Sequence, residues 1–188
     1  VVNDMLDAIE SGKTYKFDWE GYERLDGELK YTRTTIHLQV DPFKVYVHNH
    51  EKPHAGAQLI YKEGEFNGNA NVNPGKFLPS LKLDPFGKRM RAEGHQTIFE
   101  SGFNFMGSIV QSYVDKANGD IGKYFTYKGE IDFNGIPCYK IEINDPDFGY
   151  KDYTFKGGEN LYKLARRDGF NEYLVLEKNG IKKFTDLN

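Results

Sequence analysis

The sequence predicts an α+β protein whose centre is a curved antiparallel sheet, and three observations predict it. Long stretches alternate ring or aliphatic residues with charged ones, the period of a half-buried strand. Asp26-Gly27 and Asn134-Gly135 each stand between two such stretches, where a two-residue hairpin turn needs left-handed backbone. A single long segment, His95–Gly119, has helical periodicity with two adjacent apolar rows. A helix apolar over so wide an arc is best covered by a sheet that bends around it.

The elements follow in order. In "VVNDMLDAIESG", Val2, Met5, Leu6 and Ile9 recur at helical spacing and Gly12 supplies a stop. From Lys13 the period becomes two. Tyr15, Phe17 and Trp19 share one face, Lys16, Asp18 and Glu20 the other, and Gly21 reads as a bulge that shifts the phase to Tyr22. The strand returning from Asp26-Gly27 carries Ile36, Leu38 and Val40 on one face. Pro42 resets the chain before "FKVYVHNH" and "AQLIYKEGE", and short Gly- and Asn-rich segments around 67–75 complete an antiparallel meander.

Thr97 and Glu100 have capping-box spacing, so the long helix is expected to begin there and to run to Gly119. Its rows are Ile98/Gly102/Phe105/Ile109 and Phe99/Phe103/Met106/Val110/Tyr113. "YFTYKGEIDF" and "CYKIEIN" then form a second hairpin, and Asp145-Pro146 with Gly149 forms a joint before a segment of different texture.

The 188 residues suffice for one ordinary domain and a very small second one. Only 38% are hydrophobic but 15% are aromatic, so the apolar content is concentrated in rings. A net charge of −3 without basic blocks argues against a nucleic-acid partner. No apolar run approaches the roughly 20 residues that span a bilayer. The lone Cys138 forms neither an internal disulfide nor a thiolate metal site.

The terminal segment, "YTF", "GGENLYKLARR" and "NEYLVLEKN", resembles a LysM domain, a small βααβ module that binds N-acetylglucosamine glycans. The resemblance covers 151–188 and lacks the family's second strand, so the module is incomplete or an insertion. It implies a strand at Tyr153–Phe155, two short helices packed through Leu161, Leu164, Ala165, Leu174 and Leu176, and a glycan groove lined by Gly158, Glu159 and Asn160 on one side and Asn179, Gly180 and Ile181 on the other.

About residues 3–148, within a first domain expected over 1–148, resemble an uncharacterised bacterial family related to the LolA/LolB lipoprotein carriers. "YKFDWEGYERLDGEL", "DPFKVYVHNHEKPHAGAQLIYKEGEFNG", "LKLDPFGKRMRAEGHQTIFESGF" and "NGIPCYKIEI" carry the likeness. It implies a half-barrel, a strongly bent antiparallel sheet with helices on its concave side, where the carriers receive acyl chains. The ligand-facing residues would be Tyr15, Phe17, Trp19, Phe99, Phe103, Met106, Val110 and Tyr113.

No catalytic constellation stands out. His48, His50 and His54 in "HNHEKPH" are the sharpest metal-like cluster, with no complete ligand set beside them. Asp84-Pro85-Phe86-Gly87 reads as a turn, the serines lack a nucleophile elbow, and no glycine-rich phosphate loop occurs. The expectation is therefore a non-enzymatic protein without cofactor or metal. It would be periplasmic or in the cell envelope, with a signal peptide removed ahead of Val1, and would hold a lipid or acylated protein. The alternative is a peptidoglycan-associated structural protein that binds glycan through the LysM-like module.

Overall fold

The computed structural model describes residues 1–25, 27–75, 77–91, 94, 96–156 and 159–181. The molecule is α+β, with a six-stranded antiparallel sheet, a two-stranded sheet and five α-helices among the described residues. Two compact units are interleaved along the chain. One comprises Val1–Glu10 and Met106–Gly169, the other Ser11–Phe105 with the chain from Phe170 on.

The larger unit is a meander. Strands β1 (Thr14–Leu25), β2 (Glu28–Gln39), β3 (Lys44–Asn49), β4 (Gln58–Lys62), β5 (Ala70–Asn73) and β6 (Leu81–Leu83) lie in the sheet in chain order, each antiparallel to the next. Alternation sorts the two faces. Phe17, Ile36, Val47, Leu59 and Val72 stand in one register row across β1–β5, and Tyr15, Leu38, Val45 and Tyr61 in the next row on the same face. Ile36, Leu38, Val45, Tyr61, Ala70 and Ile98 form the buried core there. The other face carries Lys16, His37, Tyr46 and Ile60 in one row and Asp18, Thr35, His48 and Gln58 in another. An apolar face on the core and a polar face toward water is the usual antiparallel solution.

The hairpin joining β1 to β2 leaves two residues between the paired Leu25 and Glu28, with Gly27 at φ 83° and Asp26 outside the described residues. The bulge expected at Gly21 does not form. Gly21 pairs with Thr32 in unbroken register, and exposure alternates through all of β1. Glycine is there for room, since a Cβ would stand 3.1 Å from the six-membered ring of Trp19 on the same face.

The long helix also differs from expectation. Glu100 does reach back to accept the Thr97 N–H at 2.8 Å, but the turn that it closes is a single 3₁₀ turn, Ile98–Glu100. Gly102 at φ 93° breaks the chain direction, and the α-helix begins only at Phe103. A Cβ at 102 would lie 2.5 Å from Leu38 Cδ2, so a side chain there would have to displace that buried leucine. Core packing therefore overrides a local start signal. Short α2 (Lys88–Arg91) precedes this segment, and α3 is Phe103–Ala117.

In the smaller unit, α1 (Val2–Ser11) and α3 enclose a second core of Val110, Ala117, Tyr124 and Phe125, joined by Val2, Leu6, Tyr113 and Ile141. Gly107 brings the two helices close, as a Cβ there would meet Ile9 Cγ2 at 3.1 Å. Strands β7 (Phe125–Phe133) and β8 (Ile136–Ile143) form the second hairpin through Asn134 and Gly135, at φ 54° and 81°. The Asp145-Pro146 joint is anchored by Lys116 on Asp145 at 2.7 Å and Lys123 on Asp147 at 2.8 Å.

Of the expected terminal module, the two helices form, α4 (Leu161–Asp168) and α5 (Glu172–Lys178), capped by Asn160 and Asn171. Tyr153–Phe155 is not a strand. Tyr153 instead turns its hydroxyl to Glu159 at 2.8 Å. Leu161, Leu164, Ala165 and Leu176 are buried as expected, but Leu174 is 42% exposed. Glu172 and Leu176, one turn apart, share the buried face of α5, and Leu174 between them points away.

Candidate functional site

The expected ligand-facing residues divide between the units. In the larger one, β1 holds Tyr15, Phe17 and Trp19 half-buried against the core. Phe103, in the first turn of α3, lies over the first two with ring centroids at 5.3 and 5.5 Å, and is still 45% exposed. Tilted contacts at that distance are favourable aromatic geometry. Phe99 is built into a ring cluster, with Phe43 at 5.7 Å, Tyr61 edge-on at 5.1 Å and Phe86 stacked at 5.1 Å. It fills the core. In the smaller unit Val110 is buried, Tyr113 packs on Tyr124 at 5.6 Å, and Met106 is 55% exposed.

A groove of about 430 Å³ opens on the polar face of the large sheet. Thr14, Lys16, His37, Gln39, Lys44, Tyr46, Ile60 and Lys62 line it, on four adjacent strands. Tyr15, Leu38 and Val45 form the row between and also line it, although alternation turns their side chains to the core. His37 meets Tyr46 edge-on at 5.5 Å. Sequence reading turned Lys16 outward but assigned none of these residues to a site, because each alone is an ordinary strand residue and only the register gathers them.

Two of the three histidines of the cluster, His48 and His50, are drawn together by ring and hydroxyl contacts. Thr35 Oγ1 stands 2.6 Å from Asp18 Oδ1 and 2.8 Å from His50 Nε2. A carboxylate only accepts, so the Thr35 proton goes to Asp18 and His50 Nε2–H donates to Thr35. The His48 ring lies 4.6 Å from that of His50. Among the described residues, no group of three or more His, Cys, Asp or Glu side chains is arranged to hold a metal ion.

A buried polar centre holds α5 in the larger unit. The Arg91 guanidinium pairs with Glu172, at 4% and 0% exposure. The Tyr173 hydroxyl donates toward the Arg91 and Gly94 carbonyls at 3.1 and 3.2 Å, and burial holds its pKa above the ordinary phenol value. No sequence signal marked Glu172, since an acidic residue in a first helical turn already has a local explanation.

Of the residues expected to line a glycan groove, Gly158 lies outside the described residues. Glu159 accepts from Tyr153 and from the Lys156 N–H, Asn160 caps α4 through Lys163 N, and Asn179 bonds the Val175 carbonyl. Gly180 has φ 67°, and Ile181 N donates to Leu176 O at 2.9 Å. Glu159 and Asn160 belong to the smaller unit, Asn179, Gly180 and Ile181 to the larger.

No curated protein and no solved structure matches the chain. A protein family does, described as "Protein of unknown function (DUF1571)", over residues 12–162. That span takes in both sheets and the ring layer and ends at the start of α4, so the chain belongs to the DUF1571 family.

Proposed function

We propose that this protein is a cell-envelope binding protein, resident in the periplasm, that holds a hydrophobic or lipid-bearing ligand in the manner of a lipoprotein carrier. The observation that carries this reading is the ring layer of Tyr15 and Phe17 under Phe103, which keeps 45% of its surface in water. A ring exposed on top of other rings is apolar area already assembled for a partner. Each ligand methylene buried there is worth about 0.8 kcal/mol, so a short acyl segment suffices for useful affinity without any catalytic group. In this reading the six-stranded sheet bends as a half-barrel and the α4–α5 segment is an accessory LysM-like unit.

The rival reading, a peptidoglycan-associated structural protein, rests on the two short Asn-capped helices. It has less support, since Glu159, Asn160 and Asn179 are each engaged within their own turns.

The test is organic extraction of the purified protein with mass spectrometry, followed by fatty-acid titration read through Trp19, the single tryptophan. Bound lipid, a change in Trp19 emission and about tenfold weaker binding in Phe103→Ala are expected. Unchanged emission with nothing extracted would remove the carrier reading, and retention on purified peptidoglycan would then favour the rival.

A further inference from the structure

We propose that the polar face of the six-stranded sheet carries a second binding site, for a phosphate group attached to a ring-bearing or apolar body. The site is the groove of about 430 Å³, within the size range of small-ligand pockets and larger than a phosphate alone needs. This inference is independent of the acyl-ligand reading, which concerns the opposite face.

Three lysines line the groove from three strands, Lys16 from β1, Lys44 from β3 and Lys62 from β4. Their placement works against folding. Lys44 and Lys62 stand directly opposite each other in the β3–β4 register, an arrangement of like charges that destabilises an antiparallel pair. Lys62 is relieved in part by Glu65 at 3.4 Å. Among the described residues neither Lys16 nor Lys44 has a carboxylate at ion-pair distance. Asp18 accepts from the Thr35 hydroxyl and Glu63 from the Phe43 N–H. In a chain of net charge −3, three cations thus stand together on one sheet face, with Glu65 paired to one of them.

An anion at the Lys44–Lys62 end would turn that repulsion into attraction. Phosphate suits it, since it offers several oxygens to separate ammonium donors, whereas a lone carboxylate offers two. The neighbouring row supplies the rest. Tyr46 presents a ring braced by His37 at 5.5 Å, Ile60 stands beside it in register, and Lys16 closes the row. A planar or apolar body would lie on Tyr46 and Ile60 with its phosphate at the lysines.

The experiment titrates the isotope-labelled chain with inorganic phosphate and with phenyl phosphate, observing backbone amides by NMR. Parallel co-sedimentation uses phosphatidylcholine vesicles with and without phosphatidylglycerol. The expected result is that amides of Lys16, His37, Lys44, Tyr46 and Lys62 shift, and that phenyl phosphate binds about tenfold more tightly than inorganic phosphate. Sedimentation only with phosphatidylglycerol, with no response to phenyl phosphate, would identify the phosphate as a lipid headgroup. Response to phenyl phosphate alone would identify a soluble ligand. In either case, Lys44→Gln combined with Lys62→Gln should weaken binding at least about tenfold while the melting temperature holds or rises, because the like-charge pair is gone. Absence of response at these residues to every probe, or binding that survives the double substitution unchanged, would overturn the proposal.

Discussion

Arg91 and Glu172 are 81 residues apart in the chain and pair through Nη2 and Oε1 with both side chains out of water. The pair fixes α5 against the segment that follows β6 in the larger unit. The Arg24–Glu177 pair at 3.2 Å adds a second, exposed tie of small energetic weight. Removing one member of a buried pair strands the other charge, so Arg91→Ala and Glu172→Ala should each cost about 3–5 kcal/mol in urea denaturation. Arg91→Met combined with Glu172→Leu should cost much less than either single change, because no uncompensated charge remains. Single variants within about 0.5 kcal/mol of wild type would show that the pair is not buried in solution.

The neighbouring Tyr173 makes a prediction about pH. Burial holds its phenol above the ordinary value of 10.0, so the unfolded chain ionises first as pH rises. Between the two values the native state binds more protons than the unfolded state. The contribution of Tyr173 is therefore complete below about pH 10 and is lost as pH climbs toward its folded value. Tyr173→Phe should cost about 1 kcal/mol at pH 8, from the lost hydroxyl bond, and the gap from wild type should narrow above pH 10. Denaturation curves for both proteins at the two pH values decide it, and a gap independent of pH would contradict the burial of this hydroxyl.

Gly102 and Gly135 separate two reasons for glycine. Both have positive φ, 93° and 81°. Only at Gly102 would a Cβ also strike a neighbour, Leu38 Cδ2 at 2.5 Å, whereas Gly135 has nothing within 4 Å. Gly135→Ala should cost about 1 kcal/mol of backbone strain, and Gly102→Ala clearly more, about 2–3 kcal/mol, with the buried Leu38 displaced. Equal costs measured by thermal melting would mean that the chain relaxes freely around Gly102.

The strand faces, both hairpins and the order of the meander were legible because each depends on near neighbours. Alternation at Tyr15, Phe17 and Trp19 and the left-handed turn at Asn134-Gly135 are written within a few residues. The capping box at Thr97 and Glu100 was legible too, yet it closes a 3₁₀ turn, because the length of the helix behind it was decided by the space between Gly102 and Leu38. Gly21 was read as a bulge because a strand glycine shows its conformational freedom in sequence but not the Trp19 ring that occupies its missing side chain.

What the sequence determined by itself was the class of fold and the set of residues that could turn inward, since backbone periodicity and side-chain polarity act locally. Tertiary structure decided which of them meet. It buried Glu172 on Arg91, placed Phe99 inside a ring cluster while leaving Phe103 exposed above Tyr15 and Phe17, and drew Lys16, Lys44 and Lys62 from separate strands into one groove. Each outcome depends on register and close packing between segments distant in the chain, and the free energy of such contacts exists only once the sheet has formed.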